Sequence, residues 1–457
     1  MTGWTHDLIV IGAGAAGLTA AGGAARLGLR VALIERDRMG GECLNTGCVP
    51  SKALLVAARS GPIGFAAARA RVQAAIAAIA PHDAPERFER WGVEVIRGHG
   101  VLQDSRTVHV NERVLRAPRF VLAVGSRPAV PAIPGLADSP FLTTDTVWDL
   151  ETLPEHLLIL GGGAAGTEMA QAFRRLGAAV TVIDAGRMLA AFDPAAAAVV
   201  LDVLAAEGVG LRPESRAVQA QPFPGGIELA FEGAPTVRGS HLLVAAGRVA
   251  GLQGLGLQAA GVEVGPGGIL VDARRRTSNP RIYAIGDCRD GPRFTHVAGY
   301  EGSLVVMNAV LGLRSAVNYV ALPAVLYTQP ELAQVGLTEG AASTTRRKVT
   351  TITVPFADND RAIIEGRPEG FVKLVSVGHK LVGVTIVGDG AGEMVLPWSL
   401  VITGQATRWA VANAIVPYPT RSEATKAAAF ASYESLIFSR WVRGWAKLLA
   451  SARRLLG

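Results

Sequence analysis

The feature that most constrains this chain of 457 residues is a glycine-rich turn that occurs twice. Each copy follows a short apolar segment and precedes a helical pattern, and the repeated glycines are Gly12, Gly14 and Gly17 in the first copy and Gly161, Gly163 and Gly166 in the second. Gly12 precedes Glu35 by 23 positions, and Gly161 precedes Asp184 by the same 23. A lone glycine triad is weak support for a binding site, but two copies with matched acid spacing predict two dinucleotide-binding units.

Each copy has the pattern of a strand, a turn, a helix and a second strand. The predicted elements are a strand at 7–11, a helix at 18–27 and a strand at 30–34, then strands at His156–Leu160 and Ala179–Ile183. The first glycine permits the sharp turn, the second lets the backbone approach a pyrophosphate, and the third lets helix pack on strand. The helix N-terminus offers free N–H groups to the phosphates. Glu35 and Asp184 are placed to accept hydrogen bonds from ribose hydroxyls.

Two cysteines lie between the two units. Cys43 and Cys48 belong to the segment 40–52, which ends at Lys52. A thiol at a helix start has a lowered pKa, because the helix dipole and a nearby cation favour the thiolate. The two thiols are spaced to close a short disulfide loop. The alternatives are a metal half-site or two buried cysteines, but no second Cys or His pair at ligand spacing supports a metal, so we predict none.

Composition and charge narrow the class of protein further. Hydrophobic residues make up 49% and charged residues 18%, as in a compact globular chain of two or three domains. The net charge of +7 is concentrated in the last eighteen residues, so the body is close to neutral and nucleic acid is not expected as a partner. We find no secretory signal and no apolar stretch of about 20 residues, and we expect the protein in the cytoplasm.

These motifs resemble those of the pyridine nucleotide–disulfide oxidoreductases, the flavoprotein group that includes dihydrolipoamide dehydrogenase, glutathione reductase and mercuric reductase. The resemblance covers the chain up to about residue 430. Besides the two glycine motifs and the cysteine segment, it rests on residues 124–128, Glu168, 245–248, 283–287, 296–302 and 327–331.

The resemblance implies an α/β fold with two Rossmann-like domains and a C-terminal α+β dimerisation domain. It implies an FAD domain at 1–145 and 260–320, an NAD(P) domain at 146–259, an interface domain at 321–430, and a homodimer with shared active sites. Residues 431–457 would form a basic amphipathic helix. The FAD contacts implied are Gly12, Gly14, Ala15, Gly17, Glu35, Arg36, Gly41, Lys52, Gly125 and Asp287. The NAD(P) contacts implied are Gly161, Gly163, Gly166, Asp184, Gly247 and Arg248.

The resemblance also implies an electron path. NAD(P)H reduces FAD, and the flavin passes two electrons to the Cys43–Cys48 disulfide. Cys48 would lie against the flavin and Cys43 would exchange with the substrate. Lys52 and Glu168 look like the ion pair beside the flavin ring, where a cation stabilises the reduced form. The third cysteine, Cys288, is expected to be a buried packing residue.

One position departs from the disulfide-using members of the family. They carry a His-Pro with a Glu a few residues later, whereas this chain has Tyr418 before Pro419 and keeps Glu423. An unperturbed phenol has a pKa of about 10 and is a poor base at neutral pH. Efficient oxidation of dihydrolipoamide is therefore not expected. A tyrosine at this position resembles the pattern of the mercuric reductases, but the C-terminal cysteine pair of those enzymes does not occur in this sequence.

The acidic residue that follows the second glycine motif bears on the choice between NADH and NADPH. Asp184 would bind a 2′-hydroxyl and repel a 2′-phosphate, so NADH is favoured over NADPH. Arg187 lies three residues on and offers a route to NADPH, unless its side chain is simply solvated.

The C-terminal segment raises a separate question. Apolar residues recur at three- and four-residue spacing from Phe438 to Leu456, with basic residues between them, so the segment predicts a cationic amphipathic helix. Either the helix lies on an anionic membrane surface or a membrane partner, at the inner face of the membrane, or it packs on the protein's own interface domain.

Three functions remain open from the sequence. The first is a flavin–disulfide reductase of the dihydrolipoamide dehydrogenase and mercuric reductase type. The second is an NADH-dependent quinone or metal-ion reductase with little need for exchange at Cys43. The third is a membrane-docked flavoprotein that senses the redox state of the cysteine pair.

Overall fold

The computed structural model describes residues 3–59, 61 and 63–456. The chain forms two compact units, the first made of Met1–Gly186 and Val209–Val317 and the second of Arg187–Gly208 and Asn318–Gly457.

The first unit contains a parallel sheet that begins at the amino terminus of the chain. Its five strands, in spatial order, are Ile282–Ala284, Phe120–Leu122, Leu8–Ile11, Val31–Glu35 and Val93–Arg97. The central strand is apolar and buried at every position, as expected for a parallel strand covered on both faces. The edge strand Ile282–Ala284 comes from far along the chain, so this sheet is built from two separate segments.

Two helices pack together beside this sheet. Helix Ala15–Arg26 follows the first glycine motif, and helix Thr295–Ala309 crosses it at close range. A Cβ atom at Gly302 would lie 2.8 Å from the carbonyl oxygen of Ala16, so only glycine permits this approach.

A second parallel sheet in the same unit contains the second glycine motif. Its strands, in spatial order, are Gly210–Arg212, Ala179–Ile183, His156–Leu160, His241–Val244 and Leu142–Thr143. Helix Ala164–Arg175 follows its glycine turn. The two predicted βαβ units and the α/β fold class are confirmed, and the first helix begins three residues earlier than predicted.

In the described part of the chain, the first unit also contains four further α-helices and four small antiparallel sheets. The helices are Gly41–Asn45, Cys48–Arg59, Phe65–Ile79 and Pro85–Glu89. The small antiparallel sheets are Gly100–Leu102 with Thr107–Val110 and Arg113–Arg116, Ala217–Phe223 with Gly226–Phe231 and Ala234–Gly239, Ser126–Pro128 with Arg248–Ala250, and Val264–Gly265 with Gly268–Ile269.

The second unit is α+β. Its antiparallel sheet has the strand order Pro323–Leu326, Glu331–Gly336, Lys380–Gly388, Phe371–Val377 and Val349–Pro355. Its helices are Pro194–Ala206, Glu339–Ser343, Asp360–Ile364, Ala391–Met394, Leu396–Ile402, Arg408–Ala412, Ser422–Ala431, Glu434–Ile437 and Arg440–Leu456. Trp398 is fully buried in the core between this sheet and its helices.

The last helix, Arg440–Leu456, which we call the tail helix, exposes its apolar side chains. Trp441, Trp445 and Leu448 are 76%, 62% and 58% exposed. In the described part of a single chain, no surface therefore covers these apolar side chains. The structure does not show the tail helix packed on its own interface domain. Among the described residues we also find no helix with the length and apolar content needed to cross a bilayer.

A buried carboxylate joins the late strand to the helix pair of the first unit. Glu301 has no exposed surface, and its Oε2 atom accepts a hydrogen bond of 2.8 Å from the backbone N–H of Gly286. Arg289, also fully buried, donates to both Glu301 oxygens, and Arg275 donates from 3.3 Å. The network holds the turn that contains Asp287 against helix Thr295–Ala309.

We expect Glu301→Gln to lower the free energy of unfolding by about 3–5 kcal/mol, because it leaves the guanidinium of Arg289 buried without a counter-charge. Urea unfolding followed by far-UV circular dichroism measures the loss. The matched control is Glu228→Gln, which removes the partner of the exposed Arg238 and should cost less than about 1 kcal/mol. Equal losses in the two variants would contradict a stabilising role for the buried pair.

Candidate active site

The first glycine motif borders open space at its middle glycine, where the protein backbone would approach the pyrophosphate of a ligand. A Cβ at Gly12, which has φ +102°, would lie 2.3 Å from the oxygen of Ala123. A Cβ at Gly17 would lie 1.8 Å from the oxygen of Gly12. At Gly14 the nearest atom is the Cα of Gly41, at 3.9 Å. The packing of the chain therefore accounts for Gly12 and Gly17, whereas Gly14 borders a space that fits a pyrophosphate.

The second glycine motif repeats this pattern. A Cβ at Gly161 would lie 2.4 Å from the oxygen of Ala245, and one at Gly166 would lie 1.9 Å from the oxygen of Gly161. No other atom lies within 4 Å of a Cβ built at Gly163. Both turns thus have a middle glycine with no steric reason of its own, and both fit a dinucleotide.

The two acids at the strand ends make matching contacts. Glu35 accepts hydrogen bonds from the N–H groups of Ala13 at 2.6 Å and Asp37 at 2.8 Å. Asp184 accepts from Gly162 at 2.7 Å and Gly186 at 2.8 Å. Each carboxylate is therefore fixed beside the turn, as required of a ribose acceptor.

Three further residues implied by the resemblance lie around the first motif. Ala15 is the first residue of the helix that follows the motif. Gly41 opens the short helix Gly41–Asn45 with φ +58°, opposite Gly14. The guanidinium of Arg36 is largely exposed and contacts Asp37 at 3.1 Å.

The two cysteines lie on successive helices. Cys43 lies in Gly41–Asn45, and Cys48 is the first residue of Cys48–Arg59, which we call the redox helix. Both are free thiols in this structure and both are partly buried. The N-terminal position of Cys48 exposes its sulfur to the positive end of a helix of 12 residues. The Sγ atom of Cys48 also lies 3.3 Å from the hydroxyl of Thr295.

The two thiols differ in acidity. The pKa of Cys48 is lowered to about 6, chiefly because the Cys43 thiol donates a hydrogen bond to it. The hydroxyl of Thr295 and the ammonium of Lys52 lower this pKa further, while burial raises it. The pKa of Cys43 is raised, because the hydrogen bond to Cys48 retains its proton and because the thiol is buried. In this structure the negative charge is therefore favoured on Cys48 and the proton on Cys43.

An ion pair joins the redox helix to helix Ala164–Arg175, which follows the second glycine motif. Nζ of Lys52 lies 2.7 Å from Oε2 of Glu168, whose side chain is 4% exposed. Lys52 is one turn along the helix from Cys48. Glu168 is therefore buried on its helix, and the ion pair holds the ammonium of Lys52 about one helical turn from Cys48.

Asp287 lies beside the segment 124–128. Its carboxylate accepts a hydrogen bond of 3.0 Å from the hydroxyl of Ser126. Gly125 has φ +70° and no other atom within 4 Å of a Cβ built on it. This edge of the first sheet therefore combines a fixed carboxylate with open backbone, which fits the ribityl chain of a flavin.

Arg248 contacts the segment 40–52, which contains the two cysteines. Its guanidinium lies 2.6 Å from Oε2 of Glu42 and donates to the hydroxyl of Ser126 at 2.8 Å. The preceding Gly247 has φ +111° and open space around it. Burial raises the pKa of Glu42 to about 7, with Asp145, Asp287 and Cys48 acting in the same direction and Arg248 opposing them.

Thr295, Glu42 and Ser126 were not predicted as site residues from the sequence. Glu42 adjoins Cys43 in sequence, and Ser126 lies inside a segment that the resemblance includes, so local signals existed for both. Thr295 lies 247 positions from Cys48, and only the fold brings the two together.

Tyr418 and Glu423 belong to the second unit and do not bond to each other. Tyr418 is 70% exposed, and its hydroxyl donates to Asp360 at 2.8 Å. This hydrogen bond raises the pKa of the phenol. Glu423 instead accepts from the N–H of Thr420 at 3.2 Å, near the start of helix Ser422–Ala431.

Cys288 is placed in the core of the first unit. It has no exposed surface, and burial raises its pKa to about 12. Among the described residues, no three His, Cys, Asp or Glu side chains come together as a ligand set for a metal ion.

Comparison with known proteins agrees with these features. Residues 6–302 match the family model of pyridine nucleotide-disulphide oxidoreductases, and residues 322–429 match the dimerisation domain of the same family. A mercuric reductase from Streptomyces lividans is 35% identical over 93% of this chain and 95% of its own length. A dihydrolipoyl dehydrogenase from Thermus scotoductus is 36% identical over 95% of this chain and 98% of its own.

Solved structures show the same likeness. The HOCl-induced flavoprotein disulfide reductase RclA from Escherichia coli superposes with a TM-score of 0.87 at 26% identity, over 93% of this chain and 99% of that one. The chain therefore belongs to the pyridine nucleotide–disulphide oxidoreductase family, as a homodimeric flavoprotein that uses FAD and NAD(P)H to transfer electrons through a disulfide.

Proposed function

We propose that this enzyme uses NADH to reduce a thiol-binding electrophile, with a soft metal ion as the first candidate and a small disulfide as the second. The observation that carries the proposal is the combination of an asymmetric dithiol at Cys43 and Cys48 with an exposed, weakly acidic phenol at Tyr418.

The dithiol is arranged to divide two tasks. When bound, the flavin supplies the chemistry that joins a two-electron hydride donor to a disulfide. Cys48 holds negative charge on the redox helix, next to Lys52 and Thr295. Cys43 keeps its proton and releases it when it attacks or ligates an acceptor.

Proton balance favours a metal ion as the acceptor. Reduction of a divalent metal ion to the metal releases the proton of NADH, whereas reduction of a disulfide to two thiols takes up one more proton. A disulfide acceptor thus needs a proton carrier that works near neutral pH. The hydrogen bond from Tyr418 to Asp360 makes the phenol a weaker acid, so it carries protons poorly.

The contacts of Asp184 support NADH as the donor. Its carboxylate is fixed at the strand end by two N–H groups and would repel a 2′-phosphate. The guanidinium of Arg187 donates to the carbonyl oxygens of Ala190 at 2.9 Å and Phe192 at 3.5 Å. These bonds hold Arg187 on its own loop and count against its use for NADPH.

The assignment of residues to domains stays part of the proposal. It places FAD on 1–145 and 260–320 and the nicotinamide on 146–259. Residues 321–430 form the interface at which Tyr418 of one subunit completes the site of the other.

The tail helix supports peripheral binding to an anionic membrane surface. Its apolar positions 441, 445, 448, 449 and 452 share one face at helical spacing, and Arg440, Arg443, Lys447 and Arg454 lie on the opposite face. Trp, Leu and Arg or Lys in this arrangement are typical of helices that lie in the membrane interface.

The first test concerns the acidity of Cys48. In the two-electron-reduced enzyme, the long-wavelength absorption of the Cys48 thiolate against the flavin should disappear on acidification, with a midpoint near pH 6. Thr295→Val should raise this midpoint by roughly one pH unit. A hydrogen bond to a charged group is worth about 1.5–3 kcal/mol, water replaces part of it, and one pKa unit corresponds to about 1.36 kcal/mol.

Thr295→Ser keeps the hydroxyl and is the matched control, so its midpoint should stay close to that of the parent enzyme. A midpoint unchanged in Thr295→Val would show that the hydroxyl does not stabilise the thiolate.

The second test concerns the route to the acceptor. Cys43→Ser should lower NADH-dependent reduction of Hg(II), Cu(II) and small disulfides by roughly 100-fold or more, because a serine hydroxyl is not ionised at neutral pH. Initial rates with NADH and with NADPH measure the effect, and quinones serve as acceptors that need no thiol.

Cys288→Ser changes a buried thiol and should leave these rates within about twofold of the parent. Full activity of Cys43→Ser with metal ions would refute exchange at Cys43 and favour direct reduction at the flavin.

The third test concerns the tail helix. The enzyme should float with vesicles of equal parts phosphatidylglycerol and phosphatidylcholine, and less so with phosphatidylcholine alone. Each cation near an anionic surface contributes about 1 kcal/mol. Deletion of residues 438–457 should abolish flotation and leave NADH oxidation intact, and persistent flotation after the deletion would exclude the tail helix as the membrane contact.

A further inference from the structure

A polar cavity in the first unit lies away from the two glycine motifs and from the two cysteines. It has a volume of about 210 Å³, and its charged and polar lining residues are Arg119, Arg274, Arg276, Arg314, Tyr283 and Asn308. We propose that this arginine cavity binds a phosphate group of a small molecule, at a site separate from the two dinucleotide sites.

Sheet geometry separates the arginine cavity from the flavin edge. Arg119 immediately precedes strand Phe120–Leu122, which pairs in parallel with Leu8–Ile11 and with Ile282–Ala284. The first glycine motif follows the carboxyl end of Leu8–Ile11. Arg119 lies at the amino ends of these strands, so the cavity opens at the opposite edge of the same sheet.

The cavity contains more positive charge than its neighbours offset. Arg276 is paired with Asp272, from which its Nε lies 2.9 Å. Across the described part of the chain, no salt bridge involves Arg119, Arg274 or Arg314. Guanidinium groups that converge on a concave surface repel one another, and an anion between them removes that cost. The planar fork of donors on each one matches the oxygens of a phosphate.

The loop that contains two of the arginines is held in place. Arg275, between Arg274 and Arg276, adopts a left-handed backbone conformation with φ +66°. Its own side chain is buried, contacts Glu301 at 3.3 Å and does not line the cavity. The loop thus presents Arg274 and Arg276 to the cavity without having to reorganise when an anion binds.

The opposite wall of the cavity is also fixed by hydrogen bonds. Asn308, near the end of helix Thr295–Ala309, donates to the carbonyl oxygen of Ser315 at 2.8 Å and accepts from its N–H at 2.9 Å. These bonds hold the turn that contains Arg314. Tyr283 is 5% exposed and presents its hydroxyl to the cavity beside Arg119.

The size of the cavity limits the ligand. Pockets for drug-sized molecules have volumes of about 300–1,000 Å³, so 210 Å³ is too small for a dinucleotide. It accommodates orthophosphate, pyrophosphate or the terminal phosphates of a nucleotide whose remainder stays outside.

Calorimetric titration of the FAD-loaded enzyme with pyrophosphate, at constant ionic strength, tests the proposal. Excess NAD⁺ is present so that the nicotinamide site is occupied. We expect one binding event per subunit, and the double variant Arg119→Gln/Arg274→Gln should weaken it at least tenfold. Parallel titrations with orthophosphate and ATP distinguish a free phosphate from a nucleotide as the source. The test needs no turnover, so its outcome is independent of the proposed acceptor.

Two controls keep the test decisive. Arg346→Gln removes an exposed arginine from the second unit and should leave binding unchanged. Tyr283→Phe alters only a hydroxyl and should weaken binding several-fold even if the double variant proves unstable. Absence of binding to all three phosphates, or equal binding by the parent, the double variant and Tyr283→Phe, would overturn the proposal.

Discussion

The rest of the first unit depends on the interactions of one buried side chain, the carboxylate of Glu301. It accepts the N–H of Gly286, which fixes the turn with Asp287, and its helix begins at Thr295, whose hydroxyl meets Cys48. A carboxylate without exposed surface needs compensating charge, so Arg289 is buried with it. The edge strand Ile282–Ala284 comes late in the chain, after the second glycine motif. The network attaches the turn that follows this strand to helix Thr295–Ala309, which in turn packs on helix Ala15–Arg26.

The two glycine motifs share one steric arrangement, and each of them fits a dinucleotide. In both, the outer glycines are required because a Cβ atom at either position would lie about 2 Å from a carbonyl oxygen of the chain itself, and the middle glycine faces open space. In both, the strand-end acid bonds to the N–H after the first glycine. What distinguishes the two sites is their surroundings, because only the first motif lies opposite the segment that leads to Cys43 and Cys48.

Local sequence predicted what depends on local chemistry. Strands His156–Leu160 and Ala179–Ile183, the closeness of the two thiols, and the Lys52–Glu168 contact were foreseen, since glycine spacing, apolar runs and family motifs encode them. The start of the first helix was misjudged by a few residues because Ala15 and Ala16 give no capping signal. Thr295 could not be found, because its role arises from a packing of two distant helices. The arginines of the cavity are likewise scattered from 119 to 314 and converge only through the strand order.

The groups around Cys43 and Cys48 affect the pKa values of the two thiols and of the neighbouring Glu42 differently. Hydrogen bonds from Cys43 and Thr295 and the nearby ammonium of Lys52 lower the pKa of Cys48. Glu42, next to Cys43, is the nearby group whose pKa of about 7 allows it to exchange protons at neutral pH. Its ion pair with Arg248 keeps it in place beside the thiols. An enzyme with an imidazole at the position of Tyr418 would have a second proton carrier there. In this chain the phenol of Tyr418 is a poorer proton carrier, so a disulfide acceptor would rely on Glu42, whereas a metal ion needs no proton delivery.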